Sequence, residues 1–232
     1  VSVLAIVIGL ALAMLVVERL HPARRWPVVR GWWPRALAAN GFQVVAVVVG
    51  GATWERWLDG AHLLSLASLG RVPELLIGYA VYVLWLYWSH RARHSFDLLW
   101  RSMHRFHHAP ARIEIVTAFY KHPLEIVAES IASTALLYLV LGVSREAAFI
   151  LANVSGVLGL FYHWNIATPR WLGYLVQRPE SHCLHHERGV HAFNYSELPI
   201  IDMLFGTFRN PPAFTGECGL DDDRGRRATP PR

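Results

Sequence analysis

LLIGYAVYVLWLYWSHRARH, residues 75–94, decides the fold. Its first fifteen residues carry no charge, and His90, Arg91, Arg93 and His94 follow within five positions. An apolar run closed by Trp85, Tyr87 and Trp88 reads as a helix crossing a bilayer, with aromatic rings at the headgroup level. Four more charge-free runs, at 1–17, 36–54, 130–144 and 147–162, repeat the pattern. Some fall short of the about 20 residues a span needs, and Trp54, Trp57, Tyr162 and Trp164 lengthen them into the interface. The 232 residues are 53% hydrophobic and 17% charged, against roughly 25% charged in soluble domains. The expected fold is all-α: a polytopic membrane protein with about four to five transmembrane helices. A soluble bundle with buried helices would not need so many runs or aromatic flanks.

Basic residues set the orientation. With the N-terminus outside and five spans, 19 of the 22 Lys+Arg fall in the inside segments 18–35, 90–124 and 163–232. Arg56, Arg71 and Arg145 remain outside. This positive-inside bias assigns the net charge of +5 to topology and anionic headgroups. No basic stripe on a soluble module points to a nucleic-acid partner. The first run has no basic stretch before it, and Arg19, Arg24 and Arg25 follow it, so an uncleaved span is expected rather than a signal peptide. The two runs that flank Ser144 and Arg145 predict a tight helical hairpin. Cys183 and Cys218 are too few for a disulfide scaffold. The expected organisation is N-terminal membrane helices and linkers over 1–72, a histidine-bearing unit over 73–210 and a mobile polar tail over 211–232.

Thirteen histidines stand against a single lysine. His90 and His94 are four apart, while His104, His107 and His108, and again His182, His185 and His186, form His-x2-His-His. Chance supplies about 0.04 such triplets in a chain of this composition, so two copies need a cause. His163 closes the last apolar run and His122 opens the fourth span, which puts these histidines on one side of the membrane. Helical residues at i, i+3 and i+4 share a face, so each cluster aims two or three imidazoles at one point. Imidazole suits iron, zinc, copper and nickel. On one straight helix His94 and His104 would lie about 15 Å apart, so a break is expected within 95–102, and 182–186 must fold back against the inner ends of the spans. Eight clustered histidines plus His163 exceed one zinc site and suffice for two ions. The zinc-protease pattern fails, because His191 follows Glu187 one residue late. Two redox-active irons with open positions fit the set best. Cys183 reads as a filler between the histidines.

The stretches His90-Arg-Ala-Arg-His94, Leu99-Trp100-Arg101, His104-Arg-Phe-His-His108, His122-Pro-Leu-Glu125, His163-Trp-Asn165, His182-Cys-Leu-His-His186, Asn194-Tyr195 and Leu204-Phe-Gly-Thr207 resemble, in order and spacing, the fatty acid hydroxylase/sterol desaturase superfamily of integral-membrane di-iron oxygenases. The resemblance covers about 75–210. It implies iron ligation by His90, His94, His104, His107, His108, His163, His182, His185 and His186. It implies two non-haem Fe ions and dioxygen as co-substrate, acting on a fatty acyl, sterol or related lipid by hydroxylation, or by desaturation on the same scaffold. His122 is open between ligand and outer partner of a ligand, and His191, Asn194 and Glu125 are further possible ligands or supports. The family often has Gly after Asn-Tyr, and Ser196 here puts the local turn in question. His21 and His62 read as interfacial residues. Glu125 and Glu129 are open between orienting a ligand and facing water or arginines. Asp97 and Arg101 read as a surface salt bridge.

The chain offers no glycine-rich nucleotide loop after a strand and no haem or iron–sulfur cysteine pattern. Electrons are therefore expected from a separate ferredoxin, or from a b-type cytochrome with its reductase. Arg91, Arg93, Arg101, Arg105 and Arg188 are candidate contacts for an acidic donor or for lipid headgroups. Trp85, Tyr87 and Trp88 either line a sideways path for the lipid or anchor their helix. The expected location is a bacterial inner membrane, or the endoplasmic reticulum in a eukaryote, with the histidine clusters and C-terminus cytoplasmic. The alternative of another class is a non-enzymatic metal-binding membrane protein such as a carrier. It predicts ionisable groups at mid-span, where Asn40, Gln43 and Asn153 are the main polar residues.

Overall fold

The structure, a computed structural model, describes residues 3–58, 60 and 62–220. Among the described residues all regular elements are helical. In chain order they are α1 (Val3–Leu20), α2 (Trp32–Ala52), α3 (Trp54–Trp57), α4 (Arg71–Ser95), α5 (Asp97–Leu99), a π-helical turn (Trp100–His104) and α6 (Arg105–His108). Then come α7 (Pro123–Thr134), continued by a second π-helical stretch (Ala135–Val140), α8 (Arg145–His163), α9 (Pro179–His185) and α10 (Pro199–Leu204).

Among the described residues four segments are long and apolar enough to cross a membrane: Trp32–Trp57, Arg71–Ser95, Pro123–Val140 and Arg145–His163. The 25 residues of α4 rise about 37 Å, beyond the roughly 30 Å of a hydrocarbon core. The first apolar run forms α1, which ends on Glu18, Arg19 and Leu20. Val44, Val45, Val47 and Val48 of α2, Leu76 and Leu84 of α4, and Phe149 of α8 are exposed. In water this girdle would be an apolar patch of unusual size, whereas lipid is its natural solvent. Between the spans Tyr82, Leu137, Leu141, Val143, Ala147 and Leu151 bury one another where α4, the end of α7 and α8 meet.

Gly142 makes the hairpin expected before α8. Its φ is +59°, and a Cβ there would collide with the Leu64 carbonyl oxygen. The close approach serves hydrogen bonding. The N–H groups of Leu63, Leu64, Leu66 and Ala67 donate to the carbonyls of Leu139, Val140, Leu141 and Gly142 over 2.7–3.1 Å, which satisfies the acceptors a helix end leaves open. Ser144 then caps α8 by accepting the Ala147 N–H, and Glu74 accepts the Ser144 N–H at 2.6 Å. Gly142→Ala combines left-handed strain with a backbone clash and is expected to cost about 2 kcal/mol or more. Thermal unfolding in detergent reads the loss, and an unchanged midpoint would contradict this hairpin.

At the other end of the bundle the C-termini of α1, α4 and α8 meet the N-termini of α2 and α7. Glu18 accepts N–H bonds from Ile115 and Asn165 at 2.8 and 2.9 Å, and Trp32 donates to Glu114 at 2.9 Å. The helix α4 stops where Phe96 turns extended (φ −101°, ψ 121°), inside the expected break. Residues 211–220 correct the sequence reading. Phe214 and Cys218 are buried with Ile113 and Cys183, and Cys218 bridges to Glu187. Two apolar side chains in a Pro-rich segment find a pocket beside α9, so this part of the expected mobile tail is packed. Residues 221–232 lie outside the described residues.

Candidate metal centre

Five short segments deliver nine imidazoles to the end of the bundle. The last turns of α4 bring His90 and His94; the π-helical turn and α6 bring His104, His107 and His108; α8 ends on His163; α9 and its C-cap bring His182, His185 and His186. They sort into two groups, His90, His94, His104, His108 and His185, and His107, His163, His182 and His186. Within each, one ligand atom per residue lies within 4.8 Å of the others. Both triplets divide alike: the i, i+4 pair joins one group and the middle histidine crosses to the other. On a regular helix i and i+4 differ by about 40°, while i+3 lies about 60° to the other side of i. Of the two or three imidazoles per triplet expected at one point, two share a group and the third joins the other.

The hydrogen bonds fix which nitrogen faces inward. Nδ1–H groups donate to the Tyr195 carbonyl from His90 (2.9 Å), to the Glu125 carboxylate from His104 (2.8 Å) and to the Tyr120 carbonyl from His107 (3.2 Å). His163 donates to Gly159 at 2.8 Å and His185 to Phe193 at 2.7 Å. With Nδ1 protonated, each Nε2 presents a lone pair. The Nε2 atoms of His107 and His163 are then 3.4 Å apart with no proton between them. Further Nε2 contacts join His94 to His104 (3.0 Å), His163 to His182 (3.0 Å) and His182 to His186 (3.1 Å). The Nε2 atoms of His108 and His185 are buried without a hydrogen-bond partner. A cation in the four-histidine group resolves the facing lone pairs of His107 and His163, and one in the five-histidine group takes the inward Nε2 of His90, His104 and His185, so the donor set fits two metal ions. Burial holds the imidazoles of His104, His107, His108, His182, His185 and His186 below the usual histidine range, in the neutral form that ligates.

A second layer supports this set. Glu125 Oε1 receives Arg93 at 2.5 Å besides His104, and Glu129 meets Arg93 at 3.3 Å and Lys121 at 3.0 Å. Glu125 therefore orients His104, not His122. Arg93 is buried, which removes it from any docking surface. His122 lies outside both groups: Nδ1 accepts the Leu124 N–H and caps α7, with Pro123 at the first helical position. His191 approaches His108, Nδ1 to Nδ1, at 3.1 Å. Asn194, at φ +49°, donates to the Ser181 carbonyl and accepts the Arg209 N–H, tying two loops to α9. The turn's left-handed residues are His191, Phe193 and Asn194, and Ser196 instead donates its N–H to Asp202.

Several supports escaped sequence reading. Asp202 also accepts from Tyr195 N–H and Thr207 Oγ1, and burial pushes its carboxyl up to about 6. The fully buried Arg178 reaches Thr168, Asn210 and Pro211 and frames α9. Tyr87 is sealed under Phe205 and bonded to Thr207, so it packs rather than lines an open path. Asp97 and Arg101 form an exposed pair at 3.8 Å. The carbonyls of Tyr120, Gly159, Phe193 and Tyr195 carry no residue-type signal at all, since any residue has one.

The sequence profile described as "Fatty acid hydroxylase" matches residues 75–207. The chain belongs to the fatty acid hydroxylase family. The matched span holds all nine histidines of the two groups. Among relatives of this family member, ornithine lipid hydroxylase OlsE of Rhizobium tropici is 29% identical over 60% of this chain and 43% of the relative. Very-long-chain aldehyde decarbonylase GL1-9 of Oryza sativa is 28% identical over 58% of this chain and 54% of the relative. Sphinganine C4-monooxygenase 1 of Arabidopsis thaliana is 25% identical over 65% of this chain and 58% of the relative. The chain thus spans about half the length of the curated relatives it matches. No solved structure matches it. The family thus includes relatives named as a lipid hydroxylase and a sphinganine monooxygenase, and this chain shares its profile on a set of helices long and apolar enough to cross a membrane.

Proposed function

We propose that this member of the fatty acid hydroxylase family is a membrane-bound di-iron oxygenase. It hydroxylates an unactivated C–H bond of a long-chain lipid, with dioxygen as co-substrate. The observation that carries this reading is the pair of adjacent, largely buried, all-imidazole groups, with the His107 and His163 lone pairs facing each other in one of them. His90, His94, His104, His108 and His185 would hold one iron, and His107, His163, His182 and His186 the other. Irons bound there supply activation of dioxygen for attack on such a bond.

The protein's own part is rigidity and exclusion of water. Backbone carbonyls and Glu125 lock the rings, so little reorganisation accompanies reaction. Trp100 packs on His94, His108 and His191 with centroids 5.2–5.4 Å apart and closes one side of the centre to solvent. The relatives, named as an ornithine lipid hydroxylase and a sphinganine C4-monooxygenase, support a lipid substrate. Described basic residues other than Arg56, Arg71 and Arg145 belong to the histidine-bearing side, which supports a cytoplasmic centre. Arg101 and Arg105 on that side suit an acidic electron donor of the ferredoxin or b-type cytochrome kind. Iron-loaded protein, given a reduced ferredoxin, dioxygen and membrane lipid extract, is expected to yield a lipid heavier by one oxygen. Loss of two hydrogens would replace hydroxylation by desaturation. No dioxygen-dependent product from a competent preparation would contradict the proposal.

A further inference from the structure

The segment 194–208, beyond α9, is too short and too interrupted to read as a membrane element, since it carries Glu197 and Asp202. Both carboxylates are buried, and Glu197 sets the depth of the segment. Its Oε1 accepts the hydroxyls of Tyr79 and Ser155, both at 2.7 Å. Tyr79 stands 11 residues before His90 on α4, and Ser155 eight before His163 on α8. At 1.5 Å per residue these are about 16 and 12 Å along the spans from the histidines that end them. The chain therefore turns back from Tyr195, whose carbonyl holds His90, and runs beside the spans toward the bilayer centre. Phe205 lies against the same helix, with ring centroids 5.0 Å from Tyr87 and 4.9 Å from Trp88.

Lipid does not solvate a backbone, so irregular chain at this depth must satisfy its own polar groups. Asp202 accepts the N–H groups of Tyr195 and Ser196 and the Thr207 hydroxyl, and Ser196 Oγ accepts the Leu198 N–H. The N–H groups of Ile201, Phe205, Gly206 and Thr207 donate to carbonyls within the segment, and Pro199 opens α10 with no N–H to satisfy. The apolar side chains face the other way. Ile200, Met203, Leu204 and Phe205 are exposed, and through Phe205 this face continues the exposed Leu84 and Trp88 of α4. Beside it the turn Arg170–Tyr174 exposes Trp171 and Tyr174, ring types that settle at the headgroup level. Arg170 and Arg209 are exposed there too and suit anionic headgroups. We propose that α10 is a membrane-inserted element whose outer face binds the acyl chains of the leaflet beside the histidine centre. Polar groups turned inward, apolar groups outward and continuity with the lipid-facing surface of α4 all select lipid as its partner. The proposal is independent of which metal the histidines hold.

Nitroxide labels at Ile200→Cys and Leu204→Cys test it in the full chain, reconstituted in nanodiscs of phosphatidylcholine and phosphatidylglycerol. Cys183 and Cys218 are buried, so the unsubstituted chain gives the blank. Collisions with oxygen, which concentrates in lipid, are compared with collisions with a water-soluble nickel chelate. Val48→Cys on the exposed face of α2 calibrates lipid, and Thr215→Cys, exposed beyond α9, calibrates water. The oxygen-to-nickel ratio at 200 and 204 is expected to approach that of Val48→Cys and to exceed that of Thr215→Cys by roughly fivefold or more. A ratio at both positions equal to that of Thr215→Cys overturns the proposal. Shielding of both labels from both reagents assigns the face to a protein contact, a second copy of the chain included, and overturns it as well. If one variant fails to fold, the other decides alone.

Discussion

Glu125→Ala is expected to lower stability by about 3 kcal/mol and metal affinity by about 10–100-fold. The carboxylate is 1% exposed and receives both Arg93 and His104. Without it the Arg93 guanidinium stays buried, and stranding one member of a buried ion pair costs about 3–5 kcal/mol. Glu129 still faces Arg93 at 3.3 Å, which puts the cost at the lower end. The effect on metal is separate. His104 loses the acceptor that keeps its Nδ1 protonated and its Nε2 turned inward. Glu125→Gln restores an acceptor for His104 but not a charge for Arg93, so affinity should recover more than stability. Unfolding in detergent together with metal titration measures both. An alanine variant with wild-type metal affinity would show that Glu125 does not position His104.

Acidification should destabilise the metal-free protein steeply. Burial holds His104, His107, His108, His182, His185 and His186 below the usual range, while in the unfolded chain they titrate near 6.5. Above that value both states carry neutral imidazoles and pH has no effect through them. Below it the unfolded chain takes up protons the folded one refuses, at about 1.4 kcal/mol per pH unit for each imidazole. Against a total stability of about 5–15 kcal/mol, six groups acting in the same direction make the loss below 6.5 steep. Asp202 acts in the opposite sense. Its folded carboxyl sits at about 6, so its contribution is full below the ordinary aspartate range and is lost as pH rises through 6. One such group does not offset six. Bound metal adds to the acid loss, since protons compete for the same nitrogens. Unfolding temperatures between pH 8 and 5 test this, and a flat profile would contradict neutral buried imidazoles.

The helical membrane fold was legible because lipid leaves a plain trace in sequence: runs without charge, aromatic flanks and arginines on one side. The break after Ser95 was legible because His94 and His104 could not otherwise meet. The partition of the triplets was not, since it depends on where the seam between two groups falls across a helix turn. His107 and His185 share spacing with their neighbours and differ only in rotation. Arg93 read as a surface cation because the carboxylates that bury it stand 32 and 36 residues away. His122 carries the family's motif position, yet its ring serves the first turn of α7. Residues 211–220 read as tail because proline and glycine outweigh Phe214 and Cys218 in any compositional window, although those two side chains decide the packing.

Metal content of the detergent-purified full chain, expressed with ample iron, tests the central claim most directly. The account predicts about two irons per chain, with less in His107→Ala, which opens the four-histidine group, and less in His185→Ala, which opens the five-histidine group. A folded protein without metal, or both variants holding the full complement, would contradict it.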